Sequence, residues 1–454
     1  MSTFFVQNFG CRATQADGAG VERDLLGRGL IRASSAREAE LVVLNTCTVT
    51  SEADRDVRAA IRRLNRENPG CRILVTGCYA QRAPQELQSM SGVTWVVGNS
   101  HKHRIGEILY DECHSEQSAR KQSERARVEG PLFRAESLAS TYVGDIFAHT
   151  ELMAAPVFDG LGYDKTRPNL KIQDGCDNRC SFCIIPFVRG QSRSLRRDDV
   201  LREMDALVAA GFREVVISGI NLGRWGRDLE PEQRFEGLVR AILAHTGVER
   251  LRLSSIEPMD WTDELIALVA GSERIAKHAH VPLQTGSDRV LRRMHRKYRP
   301  WHYEERIRRI RDAMPMAAIG ADVMVAFPGE TDAEFEENRR FIASVPFTYL
   351  HVFTYSARPG TPAADMQGQL PVEIKRERSR ILRELAADKK KEFMQSLIGK
   401  TASTITLSVL EQGRTETLTD NYQKLWLQGA HRPNQIVTVS VERLVDDALL
   451  GSMQ

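Results

Sequence analysis

A chain of 454 residues, 42% hydrophobic and 27% charged, has material for about two to four folded units and is too apolar to be a disordered polyelectrolyte. No apolar run reaches about 18 residues and Met1 to Gly10 carries no basic leader before an apolar stretch, so neither a membrane association nor a secretory route is expected, and the setting is cytoplasmic. A formal net charge of +3 neither demands nor excludes a nucleic acid partner, and 8 cysteines in a reducing compartment point to metal ligands, reactive thiols or buried small hydrophobes rather than disulfides.

The chain opens with short apolar runs, Thr3 to Val6, Leu41 to Leu44, Ile73 to Val75 and Trp95 to Val97, which read as strands. Between them Glu22 to Leu26 and Val57 to Leu64 have helical spacing, and Asn68-Pro69-Gly70 supplies stop signals after the second. Strand-helix alternation of this kind predicts a doubly wound parallel-sheet domain over residues 1–112. A connector follows over 113–161, containing the stretch HSEQSARKQSERARVEG, which is too polar to bury a core.

Alternation resumes over 162–394, with strands expected at Leu170 to Ile172, Glu214 to Ser218, Arg250 to Ser254, His278 to Val281, Ile319 to Val325 and Tyr349 to Phe353. Helices Val200 to Ala209 and Phe235 to Ala244 precede Gly211 and Gly247. Six strand-helix units predict a partial (β/α)6 barrel, open rather than closed by eight units. A basic helix runs from Val372 to about Met394. Beyond it Thr404 to Leu410, Glu416 to Leu427 and Gln435 to Val441 alternate and are separated by Gln412-Gly413 and Gly429, which predicts a small antiparallel β-barrel over 395–454. The fold class is therefore α/β with a terminal all-β module. Basic residues gather at Arg55 to Arg66, Arg189 to Arg197, Arg289 to Arg299 and Lys375 to Lys391, candidates for phosphate contacts. The first and last of these runs fit solvated helix faces equally well.

The sharpest signal is Cys176, Cys180 and Cys183 in KIQDGCDNRCSFCIIPF, directly after the first barrel strand. Three thiolates on one loop hold three irons of a 4Fe-4S cube and leave the fourth iron open. A structural zinc site is the competing explanation, but zinc knuckles draw cysteine pairs from two hairpins and no second pair exists here.

On these residues the chain resembles the radical S-adenosylmethionine superfamily. The resemblance implies that the open iron binds S-adenosylmethionine, whose reductive cleavage yields an adenosyl radical able to remove an inert hydrogen. It places Phe182 against the adenine, the Gly219 segment of ISGINLG near the methionine amino group, and Ser255 and Glu257 of LSSIEP at the ribose. Gln284 in HVPLQTGSDRVL and the FPGET segment from Phe327 to Thr331 end the next two strands, at the barrel edge where active sites are built. Arg189 and Gln284 are candidate ligand or substrate contacts.

A second trio lies in the first domain. Cys11, Cys47 and Cys78, in NFGCRATQ, LNTCTVT and VTGCYAQ, each follow the end of an expected strand. In a parallel doubly wound sheet those loops converge at one edge, so the three thiols are expected to meet and hold a second 4Fe-4S cluster with an open iron. Cys71 opens its strand at the opposite edge and Cys113 lies by the connector, so both read as spare thiols.

This trio, the radical core and the terminal barrel together resemble the methylthiotransferases over essentially the whole chain. The family implies a C-terminal TRAM domain, an RNA-associated barrel matched here by Gly399 to Leu410, TLTDNY and VERLVDDALLG. It implies two clusters, two molecules of S-adenosylmethionine per product, an electron donor such as a flavodoxin or ferredoxin, and a sulfur donor. The radical removes hydrogen from carbon 2 of a modified adenine, and the second cluster delivers sulfur bearing a methyl group. NTCTVTSEAD and TGCYAQ look most like the branch acting on threonylcarbamoyladenosine at tRNA position 37, in the anticodon region. FGCRATQAD departs at Ala13, Thr14 and Ala16 from that branch's common LGCKVNQYE, so the isopentenyladenosine and ribosomal-protein aspartate branches stay open. An iron-sulfur RNA-binding protein without catalysis is the alternative from another class.

Overall fold

Strands β1 (Thr3–Asn8), β2 (Ile31–Arg32), β3 (Leu41–Thr46), β4 (Arg72–Gly77), β5 (Val93–Gly98) and β6 (Ser140–Tyr142) form one parallel sheet in the order β2-β1-β3-β4-β5-β6. All six residues of β3 are buried, because helices cover both faces of the sheet. Leu41 and Val43 pack with Val21 and Leu25 of α1 (Arg12–Gly27), while Val42 and Leu44 pack with Val57, Ile61 and Leu64 of α2 (Ser51–Glu67). Each of those α2 side chains contributes roughly 1.5–3 kcal/mol by burial. The Thr50 hydroxyl caps α2 by accepting the Ala53 N–H, and Glu52 and Asp54 in the first turn complement the helix dipole. The short helices α3 (Cys78–Arg82) and α4 (Pro84–Gln88) follow β4, and residues 105–110 are helical (α5), adding Ile105, Ile108 and Leu109 to the α1 face.

The computed structural model describes residues 3–110, 139–148 and 166–454. The chain divides into two units, the first holding this sheet together with Gly175–Asp177 and Ile184–Gln191, the second holding the rest from residue 166 onward. Most of the span expected as a connector, Cys113 included, lies outside the described residues; within it Ser140–Tyr142 adds the edge strand β6 to the sheet. Among the described residues no helix is long and apolar enough to cross a membrane.

In the second unit β7 (Asn169–Lys171) pairs in parallel with β10 (Glu214–Ser218), which pairs with β11 (Arg250–Leu253). A bridge between Leu251 and Ile275 continues this arc into β12 (His278–His280), β13 (Ala318–Val325) and β14 (Tyr349–Thr354). Six parallel strands thus stand in chain order, and among the described residues β7 and β14 do not pair, so the barrel is open as expected. The intervening helices are α7 (Arg197–Ala209), α8 (Phe235–His245), α9 (Asp263–Gly271), α10 (Asp288–Arg293), α11 (Pro300–Ala313) and α12 (Asp332–Ser344). A small two-stranded ribbon, β8 (Gln173–Asp174) with β9 (Arg193–Ser194), flanks the cysteine loop, and α6 (Ile185–Arg189) lies between them in the chain.

The 25-residue helix α13 (Val372–Ser396) leads into a closed barrel, β15 (Thr401–Glu411), β16 (Arg414–Thr419), β17 (Lys424–Gln428), β18 (Ile436–Val445) and β19 (Ala448–Met453). Met394 and Leu397, at the end of α13, pack on the barrel core of Leu425, Leu427, Val439, Val441 and Leu449. Two details differ from expectation. Glu416 to Leu427 is two strands around a turn that includes Tyr422 at φ 65°, and β19 closes the barrel beside β17 in a parallel pairing among otherwise antiparallel ones.

That turn docks on the N-terminal ends of the core strands. Arg252 donates to the Thr419 and Asp420 carbonyls at 3.1 and 3.0 Å while its Nε holds Glu214 at 2.7 Å, and Asn421 donates to the Met316 carbonyl at 3.0 Å. TLTDNY, expected as part of an RNA-associated module, spends these groups on the core.

Candidate active site

The first-domain trio is assembled by the sheet. β1, β3 and β4 are neighbours, and Thr46 pairs in register with Gly77, so Cys47 and Cys78 emerge side by side, with Cys11 on the adjacent loop. Glycines set the approach. A Cβ at Gly10, whose φ is 112°, would stand 2.5 Å from Cys47 Cβ, and one at Gly77, whose φ is 103°, would stand 2.4 Å from the Thr46 carbonyl oxygen. Cys47 and Cys78 are buried and Cys11 is exposed. Burial first, then the neighbouring Cys78 and Cys11, push the Cys47 thiol up to about 12 against the opposing Val49 amide and Arg189 guanidinium. Cys47 therefore lies within electrostatic reach of both Cys78 and Cys11.

Beneath them is a buried polar network. Asp17 accepts from Lys102 at 3.0 Å and from Arg189 at 2.9 Å, while Asn45 accepts from the same Lys102 at 3.2 Å and donates to the Thr14 carbonyl at 2.6 Å. Arg189, expected as a ligand or substrate contact, is 1% exposed and committed to this carboxylate. Its helix α6 begins two residues after Cys183 and lays Ile184, Ile185 and Val188 against Cys78. Asn99 donates to the Val188 carbonyl at 2.7 Å and stands 3.6 Å from Cys78 Sγ. Three thiols with one amide donor and one guanidinium nearby form a donor set suited to a thiolate-ligated iron-sulfur cluster.

The second cysteine loop is fixed at its base. The Cys176 amide donates to the Gly190 carbonyl at 3.0 Å, and a Cβ at Gly175 would fall 1.8 Å from the Gln191 carbonyl oxygen, so only glycine serves there. Further along, Ser181 donates through its hydroxyl to the Arg293 carbonyl at 2.8 Å, and the Cys183 amide donates to the Cys180 carbonyl at 3.1 Å. Phe182 packs on Val290, Met294, Phe327, Tyr355 and Ala363. The buried Arg296 donates to Cys180 Sγ at 3.3 Å and its other Nη binds Glu257. In the sequence Arg296 is one member of a basic run, and nothing in RKYRP marks it apart from its neighbours.

The strand-end residues lie at the carboxyl edge of the open barrel. Gly219 directly follows β10 and lies so close to Gln173 that a Cβ would meet its Oε1 at 2.8 Å; that same oxygen accepts the Asn221 amide at 2.7 Å. Ser255 Oγ lies 2.7 Å from His280 Nδ1, and Glu257 is bound by Arg296. Gln284 takes a positive φ of 69°, its amide donating to the Asp322 carbonyl at 2.8 Å and its carbonyl accepting from Met324 at 2.7 Å. Such a conformation in a non-glycine residue is held by its surroundings and clusters at ligand sites. In FPGET, Glu330 accepts from the Ala326 amide and from Arg378 of α13, both at 2.7 Å.

Residues 170–342 match the Radical SAM superfamily, and residues 3–98 match Uncharacterized protein family UPF0004. The chain is 36% identical to the Threonylcarbamoyladenosine tRNA methylthiotransferase MtaB of Aquifex aeolicus, over 96% of this chain and 99% of the relative. It is 35% identical to the protein of the same name from Bacillus subtilis, over 94% and 91%. It is 34% identical to the tRNA-2-methylthio-N(6)-dimethylallyladenosine synthase of Streptomyces griseus, over 99% and 87%. Among solved structures, a radical S-adenosylmethionine methyltransferase from Kitasatospora setae, with tryptophan substrate and a cofactor analog bound, shares the fold. Its TM-score is 0.54 at 15% identity, covering 80% of this chain and 74% of that one. The cofactors of the superfamily are S-adenosylmethionine and a 4Fe-4S cluster. The chain belongs to the radical S-adenosylmethionine methylthiotransferases.

Proposed function

We propose that this protein attaches a methylthio group to carbon 2 of threonylcarbamoyladenosine at position 37 of tRNA, in the cytoplasm. The observation that carries the reading is the convergence of Cys11, Cys47 and Cys78 at the ends of three neighbouring strands, in a chain about a third identical to relatives bearing that activity's name. One cysteine trio alone would serve radical chemistry; a second supports a sulfur-inserting enzyme.

In this reading Cys176, Cys180 and Cys183 hold one 4Fe-4S cluster and Cys11, Cys47 and Cys78 hold another. When bound, the clusters supply an electron for cleaving S-adenosylmethionine and a site from which sulfur is delivered. The protein's own groups do the positioning. Arg296 fixes Cys180 and Glu257 relative to each other, and in this reading Gly219, Ser255, Glu257 and Gln284 at the strand ends, with Phe182 in the cysteine loop, receive the cofactor. Asn99 and Arg189 offset the negative charge that three thiolates bring to the buried first-domain site. The domains are read as 1–112, the methylthiotransferase N-terminal domain, with the connector 113–161 lending it the edge strand β6; 162–394, the radical core; and 395–454, a TRAM-like barrel contributing to tRNA binding. A flavodoxin or ferredoxin supplies electrons and a separate donor restores sulfur.

The Streptomyces relative favours a second reading, in which the substrate is dimethylallyladenosine. Mass spectrometry of tRNA nucleosides from a strain lacking this protein decides between them. Loss of the methylthiolated threonylcarbamoyl nucleoside supports the proposal; its persistence, with loss of the dimethylallyl counterpart, supports the second reading.

A further inference from the structure

We infer that His280, Asp322 and His351 form a divalent metal site inside the open barrel, built from none of the six cluster cysteines. The three residues come from adjacent strands β12, β13 and β14. Asp322 and His351 are direct register partners, and His280 pairs with Gly320, two residues before Asp322 on the same face. Their ligand atoms all lie within 4.8 Å of one another.

The contacts of His280 leave one of its ring nitrogens beside the Asp322 carboxylate. Ser255 Oγ occupies His280 Nδ1 at 2.7 Å, which leaves Nε2 as that ring's free donor atom. His280 is 8% exposed, and Nε2 is a buried nitrogen with no hydrogen bond among the described residues. It stands 3.4 Å from Asp322 Oδ1, and His351 Nδ1 stands 4.0 Å from the same oxygen. A buried ring nitrogen left unsatisfied beside a carboxylate costs free energy, unless a third body lies between them.

A metal bound at about 2.1 Å from each donor puts donor atoms about 3–3.5 Å apart; the His280–Asp322 pair already stands at 3.4 Å, and the wider separations, all within 4.8 Å, close by side-chain shifts of about an ångström. Aromatic rings border both imidazoles. The His280 and His351 centroids are 5.5 Å apart, Tyr349 lies 5.4 Å from His351, and Phe353 lies 6.4 Å from it on the other side. Tyr349 fits there because residue 320 is glycine; a Cβ on Gly320 would fall 2.0 Å from the tyrosine ring. Two imidazoles and one carboxylate select Fe2+, Zn2+ or Mn2+ over Ca2+ and Mg2+, and three protein donors leave positions open for oxygen ligands. Ser255 is then the hydrogen-bonding partner that orients His280, the arrangement usual for metal-bound imidazole.

The test uses the anaerobically reconstituted full-length protein, with the cluster cysteines occupied. Mn2+ is titrated in and the free ion is followed by electron paramagnetic resonance, with Zn2+ as competitor. The expected result is a single Mn2+ site per chain, displaced by Zn2+, lost in Asp322→Asn and weakened about tenfold or more in His351→Gln, while iron and sulfide contents stay native. His351 is half exposed, so its replacement leaves the core closed and reads the site itself. The inference is overturned if the native protein takes up neither ion, or if His351→Gln and Asp322→Asn bind Mn2+ as the native protein does.

Discussion

Arg189 and Asp17 lie 172 positions apart in the chain and meet in the buried interior at 2.9 Å, joining the helix that follows the Cys176–Cys183 loop to the helix that follows Cys11. Lys102 shares the same carboxylate, so one buried anion serves two buried cations. Asp17→Asn strands both. The expected loss is about 3–5 kcal/mol of stability, measured by chemical denaturation, whereas Glu304→Gln, at the surface pair with Arg308, costs at most about 1 kcal/mol. Equal effects would contradict the account.

Glu214 anchors the terminal barrel through Arg252, which also grips the Thr419 and Asp420 carbonyls. Burial alone would raise its pKa, but Arg252, Arg167 and Arg250 hold the carboxyl below the usual glutamate value. A carboxyl with a depressed folded pKa contributes stability above its unfolded pKa and loses it as the pH falls through the folded one. Glu214→Gln is therefore expected to cost about 3–5 kcal/mol near neutral pH, with the gap to the native protein narrowing as the solution is acidified below about pH 4. Urea midpoints across that range report it; a gap that widens in acid would refute the assignment.

Gly77→Ala puts a methyl group on the Thr46 backbone at a φ that L-residues avoid. A cost of roughly 1–3 kcal/mol is expected, together with reduced iron retention, because Cys78 is the next residue. Gly237→Ala, where the added carbon meets nothing and the residue lies within α8, is expected to be neutral or stabilising on the same thermal melt.

Gln284 bears the mirror-image strain. Gln284→Gly is expected to relieve a non-glycine positive φ and raise stability by up to about 1 kcal/mol while S-adenosylmethionine cleavage falls. Unchanged cleavage would remove Gln284 from the proposed cofactor site.

Much of this architecture is legible in sequence because parallel strands are continuous apolar runs and their order fixes which loops share an edge. That is why Cys11, Cys47 and Cys78 can be grouped although up to 67 positions separate them, from residue 11 to residue 78. The barrel's strand ends follow by the same reasoning. Asp17, Lys102 and Asn45 are not legible, since a polar residue on an amphipathic helix or at a strand end looks the same whether it is solvated or paired in the interior. Arg296 hides in a basic run for the same reason. The split of Glu416 to Leu427 is missed because its period-two alternation runs through the turn, and β19 because ALLGSM has little alternation of its own. The His280, Asp322 and His351 grouping needs the register of three strands, which composition does not reveal.

The most direct test of the central claim is iron and labile sulfide per chain after anaerobic reconstitution, in the native protein and with Cys11, Cys47 and Cys78 replaced together by alanine. Two cubane clusters require about eight irons, falling to about four in the triple variant while the remaining cluster still cleaves S-adenosylmethionine. About four irons in both proteins, or zinc in place of iron at the first-domain trio, would contradict the account.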